Sequence, residues 1–463
     1  MNRNRQAHKR LLAAGFLSLT LLGLVVLAGC AGVATPGERQ ARGEVRTVSG
    51  AYRPQGQRPA LSELKPDASL DDFLRFALLN QPKVEAAYYD WVASVERITT
   101  ARSLPDPQLT FQMDIQNIVT SLMPGLMMNF PGQGKLRAGA DVASAESQAK
   151  YFAFESRVLE TAFDLRRAFY QLHFLEEKIR VNRDTLKLLT DLESLASAQN
   201  EVGKVTLQDV LRAQIEQDRM RTEIANLEDS RQPLLAQFKA ALGLRDGEPS
   251  PPIPQRFEFT PPDLTTEQLF ASALARNPRL KAMEAEVRVA EAAITQAAMS
   301  RRPDSSLGLM ADVKTSPVLY RPLASISLPI WRDKFAAQIA EAQAGKRAAE
   351  ARLLAEHIAL AVDFAEKSFM FREASRNLAL LQDQLIPKAR LSLDVARSGY
   401  LSGQIDFFNL MNTEQSLLGF QLNEVEARTQ RELALAGISL LIAGLPPANA
   451  PFLPPADAVK PAP

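Results

Sequence analysis

The sequence predicts a mainly α-helical protein with a small membrane β-barrel share. Its unit is a helix, a β-hairpin and a long helical hairpin, present twice, so that each chain carries four strands. Three observations predict this. The first is repetition. Leu78-Leu79-Asn80-Gln81-Pro82 returns as Leu274-Ala275-Arg276-Asn277-Pro278 about 196 residues later. Leu104-Pro105-Asp106 returns as Arg302-Pro303-Asp304, and Phe130-Pro131 as Leu328-Pro329, at an offset of 198; Glu201-Val202-Gly203 returns as Leu401-Ser402-Gly403 at 200. So long an interval marks a duplicated large unit and not a short-period solenoid. The second observation is Lys135 to Glu201, which holds no proline and only Gly139. The third is a pair of short segments, in matching positions of the two halves, whose apolar residues alternate with polar ones.

Composition agrees with long helices, since Ala, Leu, Glu, Gln and Arg dominate while glycine and aromatics are scarce. A formal charge of +1 gives no reason to expect nucleic acid. Arg3, Arg5, Lys9 and Arg10 precede the apolar run Leu11 to Ala28, which reads as a secretory signal over residues 1–29. That run ends in Leu27-Ala28-Gly29-Cys30, and Cys30 is the only cysteine. The tetrapeptide resembles the bacterial lipobox, which implies lipid attachment at Cys30; Ala31 after it favours the outer membrane. An unpaired thiol on an exported chain otherwise has no evident use. No later segment approaches the roughly 20 apolar residues of a spanning helix. A mature chain that crosses a membrane must therefore do so as a β-barrel.

Residues 30–69 are polar and proline-punctuated, and read as a lipid-anchored linker. A first repeat covers 70–245. It opens with a helix from Asp71 to Arg102, whose early acids suit the helix dipole. Leu109-Thr110-Phe111-Gln112-Met113-Asp114-Ile115 then has the period-2 pattern of a strand with one wet face. Leu126 to Phe130 completes a hairpin within about 107–131. Lys135 to Glu201 follows as a helix of about 100 Å, with Leu165, Phe169, Leu172, Leu175 and Ile179 forming a narrow packing seam. Gly203 turns the chain, and Leu207 to Leu242 returns, with a kink expected at Pro233. A proline-rich linker, 246–263, leads to a second repeat over 264–445. That repeat pairs Leu307 to Val313 with Leu323 to Leu328 in a hairpin of about 304–329. Its long helix is interrupted at Pro387, turns at Gly403 and returns from Phe407 to Ala443. Residues 446–463 form a proline-rich tail.

Four short strands cannot close a barrel, since bacterial barrels begin at eight. Open edges in lipid would leave backbone groups unpaired at several kcal/mol each. The strands therefore belong to an oligomer, and three chains supply twelve. Leu109, Phe111, Met113 and Ile115 then face lipid, while Thr110, Gln112 and Asp114 face a wet lumen.

This order of elements resembles the TolC-type outer membrane efflux protein family, outer membrane factors of tripartite pumps, in its lipoprotein subtype. The resemblance spans roughly Asp71 to Leu445. It is carried best by Glu201-Val202-Gly203-Lys204-Val205-Thr206-Leu207-Gln208-Asp209-Val210-Leu211 and Ser398-Gly399-Tyr400-Leu401-Ser402-Gly403-Gln404-Ile405-Asp406-Phe407. Both are similar to the family's Tyr-x-x-Gly turn and the helix start that follows. Gly134-Lys135-Leu136 and Leu328-Pro329-Ile330-Trp331 add support. The resemblance implies a homotrimer, a twelve-stranded barrel and an α-helical periplasmic tunnel. It also implies a passive conduit fed by an inner-membrane pump and a periplasmic adaptor.

It further implies adaptor docking at the turns, Val202, Gly203 and Lys204 in the first half and Ser402, Gly403 and Gln404 in the second. Asp209 and Asp406 are candidates for a ring at the tunnel mouth, and equally for carboxylates that suit a helix start. Where the family often places gate aspartates, six and nine residues after the second glycine, this chain has Asn409 and Asn412. They offer hydrogen bonds but no charge. Asp114 and Asp312 are candidates for the barrel lumen. Met113, Met123, Met127, Met128 and Met310 gather at the hairpins; thioethers can hold Cu(I), and they also fill gaps. Trp331 fits an interfacial anchor or a packed junction. Removing the signal leaves His173 and His357, with no HExxH and no phosphate loop. No catalytic residue, metal site or cofactor is expected. A poreless lipid-anchored coiled-coil scaffold, and the channel of a type I protein-secretion system, are the alternatives.

Overall fold

The computed structural model describes residues 33–61, 63–115, 119–253 and 266–442. The signal segment, Cys30, part of the central proline-rich linker and the C-terminal tail lie outside them. The helices are α1 (Pro36–Tyr52), α2 (Leu70–Asn80), α3 (Pro82–Arg102), α4 (Lys135–Glu201), α5 (Leu207–Ala241), α6 (Thr266–Arg276), α7 (Pro278–Met299), α8 (Arg332–Leu380), α9 (Ile386–Leu401) and α10 (Phe407–Leu441). The strands are β1 (Gln108–Ile115), β2 (Val119–Phe130), β3 (Ser305–Asp312) and β4 (Leu319–Ile326). The chain divides into two compact units. Of the described residues, one gathers those up to Val45 with those of Val92–Gln148 and Ala285–Ala349, and the other takes those of Arg46–Trp91, Ala149–Glu284 and from Glu350 onward.

The first unit holds one antiparallel sheet in the order β1-β2-β3-β4, so the two hairpins join through β2 and β3. Leu109 faces Leu126, Phe111 faces Pro124 and Met113 faces Leu122 across the first hairpin. β2 begins well before Leu126. Pro124-Gly125 reads as a turn in sequence, yet the strand runs through it. Gly125 lacks the Cβ that would stand 2.5 Å from the Met310 Cγ and 2.9 Å from the Thr110 Oγ1. β4 starts at Leu319, four residues before the sequence places it, and carries Pro322 on an edge strand where proline is tolerated.

Residues 36–52 depart most from expectation, because the linker contains a helix. Glu38 is buried and accepts hydrogen bonds from Thr99 and from the Arg42 and Arg102 guanidinium groups. The bond from Arg102, against a desolvation cost, holds the Glu38 carboxyl at about 2. A buried carboxylate is tolerable only when its lone pairs are used in this way.

The second unit is helical, with cores shared among hairpin helices. Leu189 and Leu192 of α4, Val210 and Ala213 of α5, Leu393 and Tyr400 of α9, and Leu410 and Met411 of α10 bury one another in a single cluster. Another cluster packs Phe73 and Leu74 against Phe169, Phe238 and Val425. The expected seam from Leu165 to Ile179 is buried throughout. Tyr52 meets Tyr88 edge-on at 5.1 Å, and Tyr88 and Trp91 both pack on Phe154. α5 carries Pro233 in its interior without ending there. At Pro387 the second half differs: the π turn Leu381–Leu385 separates α8 from α9. Proline has no N–H to continue the ladder, and the Ile386 N–H reaches back to the Leu381 carbonyl. The wider turn takes up part of the two-residue drift between the halves.

The asparagines ahead of Pro82 and Pro278 close each repeat on itself. Asn80 Nδ2 donates to the Leu242 carbonyl and Asn277 Nδ2 to the Leu441 carbonyl, each at 2.9 Å. Each amide thus satisfies a carbonyl at the end of the return helix, where no intrahelical N–H remains. Asn277 Oδ1 also accepts from the Arg279 N–H at the start of α7.

Candidate functional site: hairpin turns and the sheltered face of the sheet

The two helical hairpins turn by one mechanism. Gly203 and Gly403 have φ of +74° and +75°, the left-handed conformation that glycine adopts without a Cβ penalty. The Gly203 N–H donates to the Asn200 carbonyl and the Lys204 N–H to Gln199, both at 2.9 Å. In the second half, Gly403 donates to Tyr400 and Gln404 to Gly399. This is the Schellman closure of a helix C-terminus, present twice. Both turns line one groove of about 790 Å³. It gathers Lys204, Asp209, Ser402, Gly403, Gln404, Asp406 and Asn409, while Val202 and Asn412 lie exposed outside it.

The carboxylates beside the turns are committed to helix starts. The Asp209 carboxylate accepts from the Thr206 N–H and hydroxyl, and the Asp406 carboxylate accepts from the Asn409 N–H at 2.8 Å. Asp209 is the third helical residue, the reciprocal partner of the Thr206 cap, and Asp406 is the cap itself, so the two halves use different residues for one task. Asn412 is exposed and its carbonyl accepts from Ser416. Gly399 leaves room for Ile405, whose side chain would meet a Cβ there at 2.7 Å. Tyr400 packs on Phe407 with ring centroids 5.6 Å apart, and its buried hydroxyl has no hydrogen-bond partner among the described residues. Burial raises the Tyr400 phenol, and the nearby Asp209 charge adds to the rise.

Glu414, about two turns into α10, was not among the sequence candidates. It is 3% exposed among the apolar residues of that core. Desolvation, with a further push from Glu216 on α5, raises its carboxyl to about 7. A signal existed: Phe407, Leu410, Met411, Glu414 and Leu417 share one helical stripe, so a buried carboxylate was readable from spacing.

The sheet is inverted with respect to a water-soluble one. Leu109, Phe111, Met113, Ile115, Leu126, Leu307, Leu309 and Ile326 lie on one face and are exposed, Phe111 by 66%. The opposite face shelters Ser121, Ser306 and Asp312, the last only 2% exposed. Asp114 accepts from the Ser121 hydroxyl at 2.9 Å, and Asp312 accepts from the Lys314 N–H. Both predicted lumen candidates are on the polar face. Past β4, Leu328, Ile330 and Trp331 are exposed together.

A duplicated helical hairpin joined to a sheet that turns its apolar face outward defines an integral β-barrel protein with a large helical body. The sequence profile of the outer membrane efflux proteins matches residues 74–244 and again 269–444, and the chain belongs to that family. Its members are outer-membrane channels, which are not enzymes, and they extend into the periplasm. The cobalt-zinc-cadmium resistance protein CzcC of Cupriavidus metallidurans is 22% identical over 338 residues, covering 69% of this chain and 77% of CzcC. The outer membrane protein VceC of Vibrio cholerae superposes with a TM-score of 0.68 at 17% identity, covering 82% of this chain and 97% of VceC. The open-state MtrE outer membrane channel of Neisseria gonorrhoeae gives 0.68 at 15%, covering 84% and 98%. The chain is thus an outer-membrane efflux channel protein with the fold of these structures.

Proposed function

We propose that three copies of this chain close a twelve-stranded barrel, continued by a helical tunnel, and act as a passive conduit. An inner-membrane transporter and a periplasmic adaptor deliver the substrate. The inverted sheet carries the reading. An apolar exposed face is stable against lipid, and among the described residues β1 and β4 each lack a partner on one side. The neighbouring copy's β4 and β1 satisfy them. A second support is an apolar row on the second unit: Leu354, Ile358, Val362, Phe369, Leu380, Leu391 and Val395 are all exposed. Their steps of four, seven and eleven residues are nearly whole helical turns, so they follow one side of α8 and α9. Water does not favour such a row, and a second copy of the chain covers it.

Cys30 anchors the protein by lipid. The adaptor meets the turns at Val202, Gly203, Lys204, Ser402, Gly403 and Gln404, close to Asp209, Asp406, Asn409 and Asn412 at the tunnel mouth. The test is the mass of the protein extracted in mild detergent, corrected for bound detergent, followed by single-channel conductance. A trimer that conducts supports the conduit. A monomer that stays soluble without its lipid would replace it with a poreless scaffold.

A further inference from the structure

Leu207, Leu211 and Ile215 recur every fourth residue on α5, and all three are exposed. Asp218, three residues on, keeps to the same side of the helix and is exposed too. On α9 the exposed row ends in Leu391 and Val395, with exposed Lys388 about one turn before Leu391. The two stripes have one spacing. Leu211, Ile215 and Asp218 come eight, twelve and fifteen residues after Gly203, while Val395, Leu391 and Lys388 come eight, twelve and fifteen residues before Gly403. At 1.5 Å per residue these pairs stand about 12, 18 and 22 Å from their turns. Residues beside both turns line one groove, so the turns share a level. Within one chain the stripes do not cover each other, since both are exposed. The other two hairpin helices offer no complement. Among the described residues α4 leaves no large apolar side chain exposed, and α10 exposes only Phe408, which lies under the Arg212 guanidinium at 5.0 Å.

We propose that the α5 stripe of one copy is the surface that covers the α9 row of the next, with Leu211 on Val395, Ile215 on Leu391 and Asp218 beside Lys388. The inference rests on the proposed trimer and names its helical contact. A threefold axis along the hairpins keeps every turn at one level, so residues equally far from a turn meet. α5 leaves its turn while α9 arrives at its own, so the two helices pack antiparallel. Two apolar layers then lie under one ion pair. Asp218 already holds Arg221 at 2.8 Å, and Lys388 joins that carboxylate from the neighbouring copy. Chain connectivity agrees. Edge strand β4 runs into α8. Edge strand β1 follows α3, and Gln81, just ahead of α3, donates to the Ala240 carbonyl at the end of α5 at 3.0 Å. The strands that meet at the seam between copies thus lead to the helices paired here. The contact is heterologous, and a closed ring of three leaves neither stripe uncovered.

The test is disulfide cross-linking of the full-length protein in isolated outer membranes, with copper-phenanthroline as oxidant and non-reducing gels as readout. Leu211→Cys with Val395→Cys in one chain should give a closed covalent trimer, since a disulfide needs Cβ atoms about 4 Å apart. Either substitution alone should give none, which also controls for Cys30. Leu211→Cys with Lys388→Cys, displaced by about 10 Å along the helices, should give none either. A product from Val395→Cys alone, or equal products from the matched and displaced pairs, overturns the contact. Charge exchange is a second readout. Asp218→Lys and Lys388→Asp should each lower the temperature at which the detergent-extracted trimer dissociates, and the two together should restore it. A double variant no better than the singles overturns the pairing of Asp218 with Lys388. Mass and conductance of the same preparations separate this contact from the conduit. A conducting trimer without the matched cross-link removes this inference alone, whereas a cross-linked trimer that does not conduct removes the conduit and keeps the contact.

Discussion

Glu414→Gln should remove most of a pH-dependent loss of stability. Glu414 is almost fully buried in the α5–α10 core, and its carboxyl is raised from 4.5 to about 7 by desolvation and by Glu216. Glu216 is itself paired with Arg219, 3.1 Å away, which leaves Glu414 the more costly of the two to ionise. The sign follows from proton counting. Below pH 4.5 both folded and unfolded chains hold the proton, and the group costs nothing. Between pH 4.5 and 7 the unfolded chain releases it while the folded chain keeps it, so stability falls as pH rises. Above pH 7 the full cost is present. The shift corresponds to about 3 kcal/mol per chain. Glutamine has nearly the same shape and no charge to desolvate. The assay is the thermal midpoint of the helical circular dichroism signal in detergent, from pH 5 to pH 8. The wild type should lose stability across that interval, and the advantage of Glu414→Gln should grow with it. A difference between the two proteins that stays constant with pH would refute the argument.

Other outcomes follow from the same geometry. Asp114→Ala and Asp312→Ala should shift the cation-to-anion permeability ratio of single channels, and unchanged ratios would remove both from the lumen wall. Gly403→Val should destabilise the second hairpin by about 1–2 kcal/mol, read as faster hydrogen exchange at Tyr400 to Gln404. Among the described residues, no side chain or backbone beyond the turn itself lies within 4 Å of where a Gly403 Cβ would stand, so a crowding effect spreading beyond the turn would contradict a purely conformational cause. Asn277→Ala leaves the Leu441 carbonyl buried without its donor and should cost about 1–3 kcal/mol. Asn80→Ala should cost a similar amount, and a much smaller loss in either half would mean that another group caps the return helix.

The sequence made the long elements legible because one physical rule governs each. Proline-free runs with a regular apolar seam gave α4 from Lys135 to Glu201, and glycine at the only left-handed positions of the hairpins gave both turns. Period-2 alternation identified β1 and its exposed apolar side. What stayed hidden depended on partners far along the chain. α1 carries Gly43 and Gly50, and its buried ends are fixed by Arg102 at one end and by Tyr88 with Phe154 at the other. Pro124-Gly125 resembles a turn until Met310 arrives to fill the space above the glycine. Asn80 and Asn277 were visible within the repeated segments, but their 2.9 Å bonds to Leu242 and Leu441 cross more than 160 residues.

The two halves share a backbone plan and differ in chemistry where it bears on a conduit. At the 200-residue offset, Lys204 corresponds to Gln404, Asn200 to Tyr400, Asp209 to Asn409 and Gln214 to Glu414. Both turns close with the same pair of backbone bonds, so these exchanges leave the hairpin geometry intact. In the proposed trimer six turns form a ring, and equal turns would present six equivalent positions. The exchanges divide them into two sets of three, one carrying Lys204 and Asp209, the other Gln404, Asp406 and Asn409. A partner that reads charge is thereby offered threefold docking positions and not sixfold ones. Lys204→Gln together with Gln404→Lys should exchange the two sets and weaken adaptor binding by an amount that salt screens. A loss that is the same at low and high ionic strength would mean that backbone shape, common to both turns, is what the partner recognises.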